Sequence, residues 1–384
     1  MEKLPGLPGK EPVRAGRYGH VGPLSVTEID ADAWYDVLAA AHRHDRPNTP
    51  APERDAEAGR LYVPALRSRS VAFALPDPGA VAGTAVGYAG IALVRLFDSE
   101  ENAATAFLDT LTVHPGRRGR GVGGALWSQV RALLVAEGRT SLTGLVHRGG
   151  AGERFATGCG AECALPLVAY VQTVAGAVDM PGVAGAAGIS GTPGSDATGE
   201  PGEPGEPKGS EGTEDAEGSR LLPDGYRFAA WSGLVPDEHA ATHARAHNAM
   251  QDAPIGDLDE QHDPWDADRV RAATRVILDR GGMMLTVAAI AEADGTVAGY
   301  TELVLPTPDS VRALQYDTAV VPEHRGRGLG RAVKLRMLAY LRARRPGVRE
   351  IMTTVAEGNA PMLAVNAALG YRAESGLGIY QVRI

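Results

Sequence analysis

The sequence predicts an α/β protein of two tandem domains, each a mixed central β-sheet flanked by helices, joined by a disordered linker. Three observations carry this expectation. The text VHPGRRGRGVGGALW from Val113 returns as VVPEHRGRGLGRAVK from Val320. Each copy follows a β-branched apolar run and opens a helical pattern, so a strand, a glycine turn and a helix start occur twice in the same order. Between the copies, from about Ala175 to Arg220, the composition changes to Gly, Pro, Ser, Thr and acids without an apolar face. Such a segment buries too little to offset the entropy of ordering. With 384 residues there is chain enough for two cores. The boundaries read are a flexible tail over 1–20, a first domain over 21–175, the linker over 176–220 and a second domain over 221–384.

In the first domain GPLSVTEI reads as a strand and DADAWYDVLAAAHRH as a helix, with Asp30 or Asp32 as its cap. SVAFAL and AVGYAGIALVRL are strands joined by the turn-rich PDPGAVAGT. Then come the strand ATAFLDTLTV, the glycine turn, a helix, the strand TSLTGLVHR, a short helix over Glu153–Gly158 and a strand in LPLVAYVQTV. In the second domain YRFAAWSG is a strand and PDEHAATHARAHNAM a helix with Pro236 at its start. ADRVRAATRVILDRGG is a helix closed by glycine. MLTVAAIAEADGTVAGYTELVL is a hairpin turning at Asp294-Gly295. RALQYDTAVV, the second glycine turn, its helix, REIMTTVAEG, the helix NAPMLAVNAALG and GIYQVRI complete the order.

Composition excludes several classes. A formal net charge of -9 argues against general nucleic-acid affinity, which needs a basic surface. Cys159 and Cys163 are the two cysteines, too few for a zinc site or a disulfide scaffold. Residues 1–20 hold no apolar signal core, and no run approaches the ~18 residues that span a bilayer. The expectation is a soluble, cytoplasmic protein with no membrane or nucleic-acid partner.

Glycines after a strand let successive backbone N–H groups point into one concavity, and the helix N-terminus adds partial positive charge, so each turn suits a phosphate. A dinucleotide fingerprint would need its first glycine directly after a parallel strand and an acid ~20 residues on, which neither half supplies. The turns satisfy R/Q-x-x-G-x-G/A as Arg118-Gly119-Arg120-Gly121-Val122-Gly123 and as Arg325-Gly326-Arg327-Gly328-Leu329-Gly330. In these motifs and their flanks the chain resembles the GNAT superfamily of acetyl-CoA-dependent N-acetyltransferases, over about 300 residues. The resemblance implies that the backbone of 118–123 and 325–330 holds the coenzyme A pyrophosphate, with arginines adding charge-assisted contacts. It also implies that Val113 and Val320 offer a backbone N–H to the thioester carbonyl. Lys334, one turn into the second helix, is in a place to assist these phosphate contacts, with a solvated helix position as the favoured competing reading.

The family's second signature, N-x-x-A-x-x-L-Y-x-x-L-G-F, is met in the second half by the run from Asn359 to Tyr371, with Asn366 where the family usually has a tyrosine acid. In the first half Gly149 and Ala156 stand at the Asn and Tyr positions. Asn359 is taken with the coenzyme-binding set. A base is needed because an amine arrives protonated, and Asp317 and Glu302, on central strands, are the candidates. A strand-end carboxylate held by an arginine is the competing reading for Asp317, and a bulge would swap the face either occupies. Asp109 lies near the matching place in the first half. His239, His243 and His247 form a one-face stripe, read as groove lining or a plain surface rather than a metal site.

The expected activity is acetyl-CoA-dependent acetylation of a primary amine of a small molecule; QYDT, HRG and the helix lysine resemble an acyltransferase subgroup common beside antibiotic and specialised-metabolism genes, which implies such a substrate. Catalysis is placed in the second half. The alternatives are a non-catalytic acyl-CoA sensor and a mycothiol-synthase-like acetyltransferase. The partner is the amine substrate.

Overall fold

The computed structural model describes residues 23–24, 28–78, 87–174, 221–252 and 255–384. The tail over 1–20, the linker over 176–220 and most of the PDPGAVAGT turn lie outside the described residues.

The first half runs α1 (Ala31–Asp45), α2 (Arg54–Tyr62), β1 (Ser68–Pro76), β2 (Tyr88–Phe97), β3 (Thr105–Val113), α3 (Val122–Ala136), β4 (Ser141–His147), α4 (Ala151–Gly158) and β5 (Glu162–Thr173). The second half runs β6 (Tyr226–Ser232), α5 (Asp237–Asn248), α6 (Ala267–Asp279), β7 (Met283–Ala291), β8 (Val297–Leu305), β9 (Arg312–Val320), α7 (Leu329–Arg344), β10 (Glu350–Ala356), α8 (Ala360–Ala368) and β11 (Arg372–Arg383). The mixed α/β reading holds for both halves. Asp30 caps α1, its carboxylate accepting from the Asp32 and Ala33 amides. α2 was not expected, because Arg54–Tyr62 has no apolar stripe and buries just Ala56 and Leu61. Of GPLSVTEI, Leu24 makes an antiparallel bridge to Ala72, and residues 25–27 lie outside the described residues.

The strands form one sheet in the order β1-β2-β3-β4-β11-β5-β10-β9-β8-β7-β6. Each half gives its last strand to the other. β5 runs antiparallel between β10 and β11, and β11 runs antiparallel between β4 and β5. The cores follow the exchange. Tyr170 and Val174 of the first half pack in the apolar cluster of the second, while Val382 and Ile384 pack against the cluster around Leu126 and Val130. The linker read over 176–220 falls between β5 and β6 in the chain, while the sheet runs unbroken through the β11–β5 pair that joins the halves. Pairing of distant strands is a long-range choice that no local pattern encodes.

The two central parallel pairs are short. β3 pairs with β4 from Thr105↔Ser141 to Leu108↔Gly144, and β9 pairs with β10 from Glu350↔Arg312 to Met352↔Leu314. Beyond those residues the strands part. Opposite each opening, on the antiparallel neighbour, lies a bulge: between Leu93 and Val94 in β2, and between Thr301 and Leu303 in β8.

Candidate active site

Each glycine turn begins with a single 3-10 turn, Pro115–Arg117 or Pro322–His324. Gly119, Gly121, Gly326 and Gly328 all adopt positive φ, from 70 to 85°. A Cβ at any of the four would meet nothing within 4 Å. Gly121 and Gly328 are the caps of α3 and α7, so the first-turn amides of Val122 and Gly123, and of Leu329 and Gly330, face an open concavity. The backbone fits an anionic group in both halves. The leading arginines are committed elsewhere: Arg118 Nε donates to the Val113 carbonyl at 3.3 Å and its fork holds Asp45, while Arg325 Nε donates to the Val320 carbonyl at 3.0 Å. They brace the turn against the strand end. Arg327 lies beside the Tyr226 ring, and Asn359 caps α8 by accepting from the Met362 amide.

Side chains alternate along β8. Tyr300 packs with the α5 and α6 cluster, and Leu303 and Leu305 pack with the α7 cluster. Glu302 falls on the α5 side, where the three histidines point inward. His239, His243 and His247 are all buried, at 7%, 1% and 4%, so the stripe is not a surface face. His243 Nε2 lies 3.0 Å from Glu302 Oε1, and His247 Nε2 3.5 Å from the same oxygen. His247 Nδ1 lies 3.4 Å from Asp317 Oδ2. The bulge lets Asp317 of β9 share this face, and its side chain stays 40% exposed while Glu302 is closed off. The row of groups thus runs from solvent inward as Asp317, His247, Glu302 and His243. Trp265 stacks on the His247 ring, and Tyr300 walls it.

The electrostatics follow from that packing. Burial alone would push the Glu302 carboxyl up, but hydrogen bonds and charge from His243 and His247 outweigh it and hold it low. Burial would also lower His247, and the facing Asp317 and Glu302 carboxylates, at 3.4 and 3.5 Å, reverse this, raising it to about 9. His243 has burial dominant and is lowered. A base tuned toward the range of an amine therefore stands behind an exposed carboxylate. His243, His247 and Glu302 also bring one ligand atom each within 4.8 Å, a spacing that a divalent cation could use.

The first half has no such constellation among the described residues. Gly90 pairs with Val113 as Gly299 pairs with Val320. The same step along the strands puts Leu93 where the second half has Glu302, and Thr110 where it has Asp317. Asp109 is held by Arg95 in a two-pronged ion pair. Phe155 of α4 lies within 3.1 Å of where a Gly123 Cβ would be, against the first turn of α3.

Lys334 is not solvated. It is buried at 5%, donates from Nζ to Asn366 Oδ1 at 2.7 Å and lies over the Tyr371 ring. The sequence reading missed it because a lysine on a helix is usually exposed. It missed His247 because the contact depends on how α5 lies on the sheet. Its signal was the i, i+4, i+8 spacing.

Two halves with a strand, a glycine turn, a helix and a parted central strand pair define a tandem acyltransferase fold. The sequence profile of the Acetyltransferase (GNAT) family matches residues 31–149 and 247–371, more than half of the chain, and the chain belongs to that family. It is 27% identical over 301 residues to the mycothiol acetyltransferase of Thermobispora bispora, covering 74% of this chain and 81% of that one. A tandem GNAT protein from the clavulanic acid biosynthesis pathway superposes with a TM-score of 0.71 and 25% identity, over 95% of this chain and 98% of that one. A GCN5-related N-acetyltransferase from Sphaerobacter thermophilus shares the fold, with a TM-score of 0.59, 15% identity and 95% of each chain covered. No helix among the described residues is long and apolar enough to cross a membrane.

Proposed function

We propose that the protein transfers an acetyl group from acetyl-CoA to the primary amine of a small molecule, and that the second half does the chemistry. The observation that carries this reading is the row Asp317–His247–Glu302–His243, built on the bulge beside the β9–β10 opening and without a counterpart in the first half. Acetyl-CoA supplies an activated acyl thioester. The Gly326–Gly330 backbone would hold its pyrophosphate, and the unpaired edge of β9 up to Val320 its arm. The acceptor amine approaches from the α5 and α6 face. Asp317 binds its ammonium, and His247 in its neutral form takes the proton. Glu302, fixed by His243, stabilises the imidazolium that results. The first half, with Asp109 engaged by Arg95 and Phe155 beside its turn, is read as a scaffold or a coenzyme-binding half. On this reading the protein works in the cytoplasm. One relative is named a mycothiol acetyltransferase and one similar structure is a protein of the clavulanic acid biosynthesis pathway, which favours a polar amine of specialised metabolism as acceptor.

The test is a panel of small amines with acetyl-CoA, read by thiol release and by mass of the acetylated product. One chemical class of amine is expected to turn over, and Asp317→Asn is expected to lower the rate on it while leaving coenzyme affinity nearly unchanged. Dialysis against a chelator should leave the rate intact. Loss of activity on chelation would make the histidines metal ligands instead of a base. Coenzyme binding without thiol release on any amine would favour a sensor.

A further inference from the structure

Lys334 and Asn366 take no part in the base chemistry above, and their place in the fold gives them another task. β9 and β10 part after Leu314 and Met352. α7 follows β9 and α8 follows β10. Val365 and Leu369, at the end of α8, share the apolar cluster that holds Leu329 and Val333 of α7, so both helices lie on one face of the sheet. The strand opening therefore lies beside the seam where α7 meets α8. Lys334 Nζ bridges it to Asn366 Oδ1 at 2.7 Å. On the acetyl-transfer reading, an acyl-thioester arm that starts at the Gly326–Gly330 turn and enters the strand opening would run along this seam, beside the pair.

The pair is costly as plain packing. An amine buried without a carboxylate loses hydration that one amide oxygen does not replace, and Leu or Met would fill the space more cheaply. Burial is the one cause acting on the Lys334 amine, and it pulls it down to about 7. The Tyr371 ring, 4.7 Å from Nζ, attracts the charge without neutralising it. Asn366 Nδ2 is buried with no hydrogen-bond partner, and the ammonium has two donors left after its bond to Asn366. Both side chains thus hold unused N–H groups where the arm would lie.

We propose that Lys334 is the proton donor to the sulfur leaving the acyl thioester, with Asn366 orienting its ammonium. The inference rests on the acetyl-transfer reading. The amine nitrogen forms the new C–N bond with its lone pair, and the C–S bond breaks with its electron pair passing to sulfur. A proton from Lys334 Nζ moves to that sulfur, leaving a thiol and a neutral lysine that is reprotonated from solvent. The acceptor ammonium loses two protons in turn, one to His247 before attack, which returns it to solvent, and one to His247 as the C–N bond forms. The sulfur gains charge as the C–S bond breaks, and an ammonium with no carboxylate beside it takes that charge as its counter-ion.

Two measurements test it on the full chain. In the first, coenzyme A is bound and its thiolate is followed by ultraviolet absorbance against pH. An ammonium beside the sulfur should make the bound thiol ionise about one pH unit or more below the free one, and Lys334→Met should abolish that difference. In the second, turnover is compared between S-ethyl and S-phenyl thioacetate as small donors. Lys334→Gln should lose ~10²-fold or more with the poor leaving group and much less with the acidic thiophenol, whereas a purely structural role would lower both equally. Thermal unfolding confirms that both variants are folded. Wild-type protein that neither binds coenzyme A nor releases thiol would overturn the acetyl-transfer reading and this proposal with it. Wild-type protein that binds and turns over, with thiol ionisation and leaving-group dependence unchanged in both variants, would overturn the role of Lys334 alone.

Discussion

His247 and Lys334 are both buried, yet their surroundings drive them in opposite directions. Two carboxylates face His247, Glu302 from β8 and Asp317 from β9, while no charged group acts on Lys334. Acetyl transfer needs His247 neutral and Lys334 protonated, so the rate should be highest between pH ~7 and ~9 and fall on either side. Asp317→Asn removes one of the charges that hold the proton on His247, so the alkaline fall should begin at lower pH while the maximal rate drops ~10²-fold or more. Lys334 predicts a stability effect of the other kind. Its folded value near 7 lies below the ordinary 10.5, so the unfolded chain binds the extra proton between those pH values and wild-type stability rises with pH across that window. Lys334→Met should raise the melting temperature most below pH ~7, with the gain fading toward pH ~10. Thermal scans of the two proteins across that range check this. At this scale the sequence was legible where a local rule applied. Asp30 caps its helix, and Glu302 and Asp317 were found as strand acids. His247 was not placed with them, because their meeting depends on a bulge and on the packing of α5.

At the scale of elements, the glycine turns were the most legible part of the chain. A strand, two left-handed glycines and a helix cap form a short-range unit whose requirements are written in consecutive residues. Gly328→Ala should cost about 1–2 kcal/mol in stability, because φ at that position is 80° and an alanine there is strained although space is open. Chemical denaturation checks it, and Asp30→Ala should cost about 1 kcal/mol by the same measurement. α2 was illegible for the opposite reason. Its sequence carries no apolar stripe, and it is fixed by contacts that the rest of the molecule supplies, such as Gly59 against Arg280.

At the scale of the whole molecule, both last strands read correctly as strands, but their partners were out of reach of the sequence. β5 finds both its neighbours in the second half, and β11 sits between two strands of the first. A chain ending before Arg372 should therefore lose cooperative unfolding in both halves, and residues 21–175 alone should not give a protected sheet in amide hydrogen exchange. Independent folding of that fragment would show that the exchange of strands is not needed. On the proposed division of labour, the first half completes the sheet on which the second half would do the chemistry. The most direct test of that division is the pair Gly328→Glu and Gly121→Glu, each putting a carboxylate where a pyrophosphate would sit. Thiol release from acetyl-CoA in the presence of the acceptor amine should vanish in Gly328→Glu and stay near wild type in Gly121→Glu. Loss of turnover in Gly121→Glu with activity kept in Gly328→Glu would contradict the account.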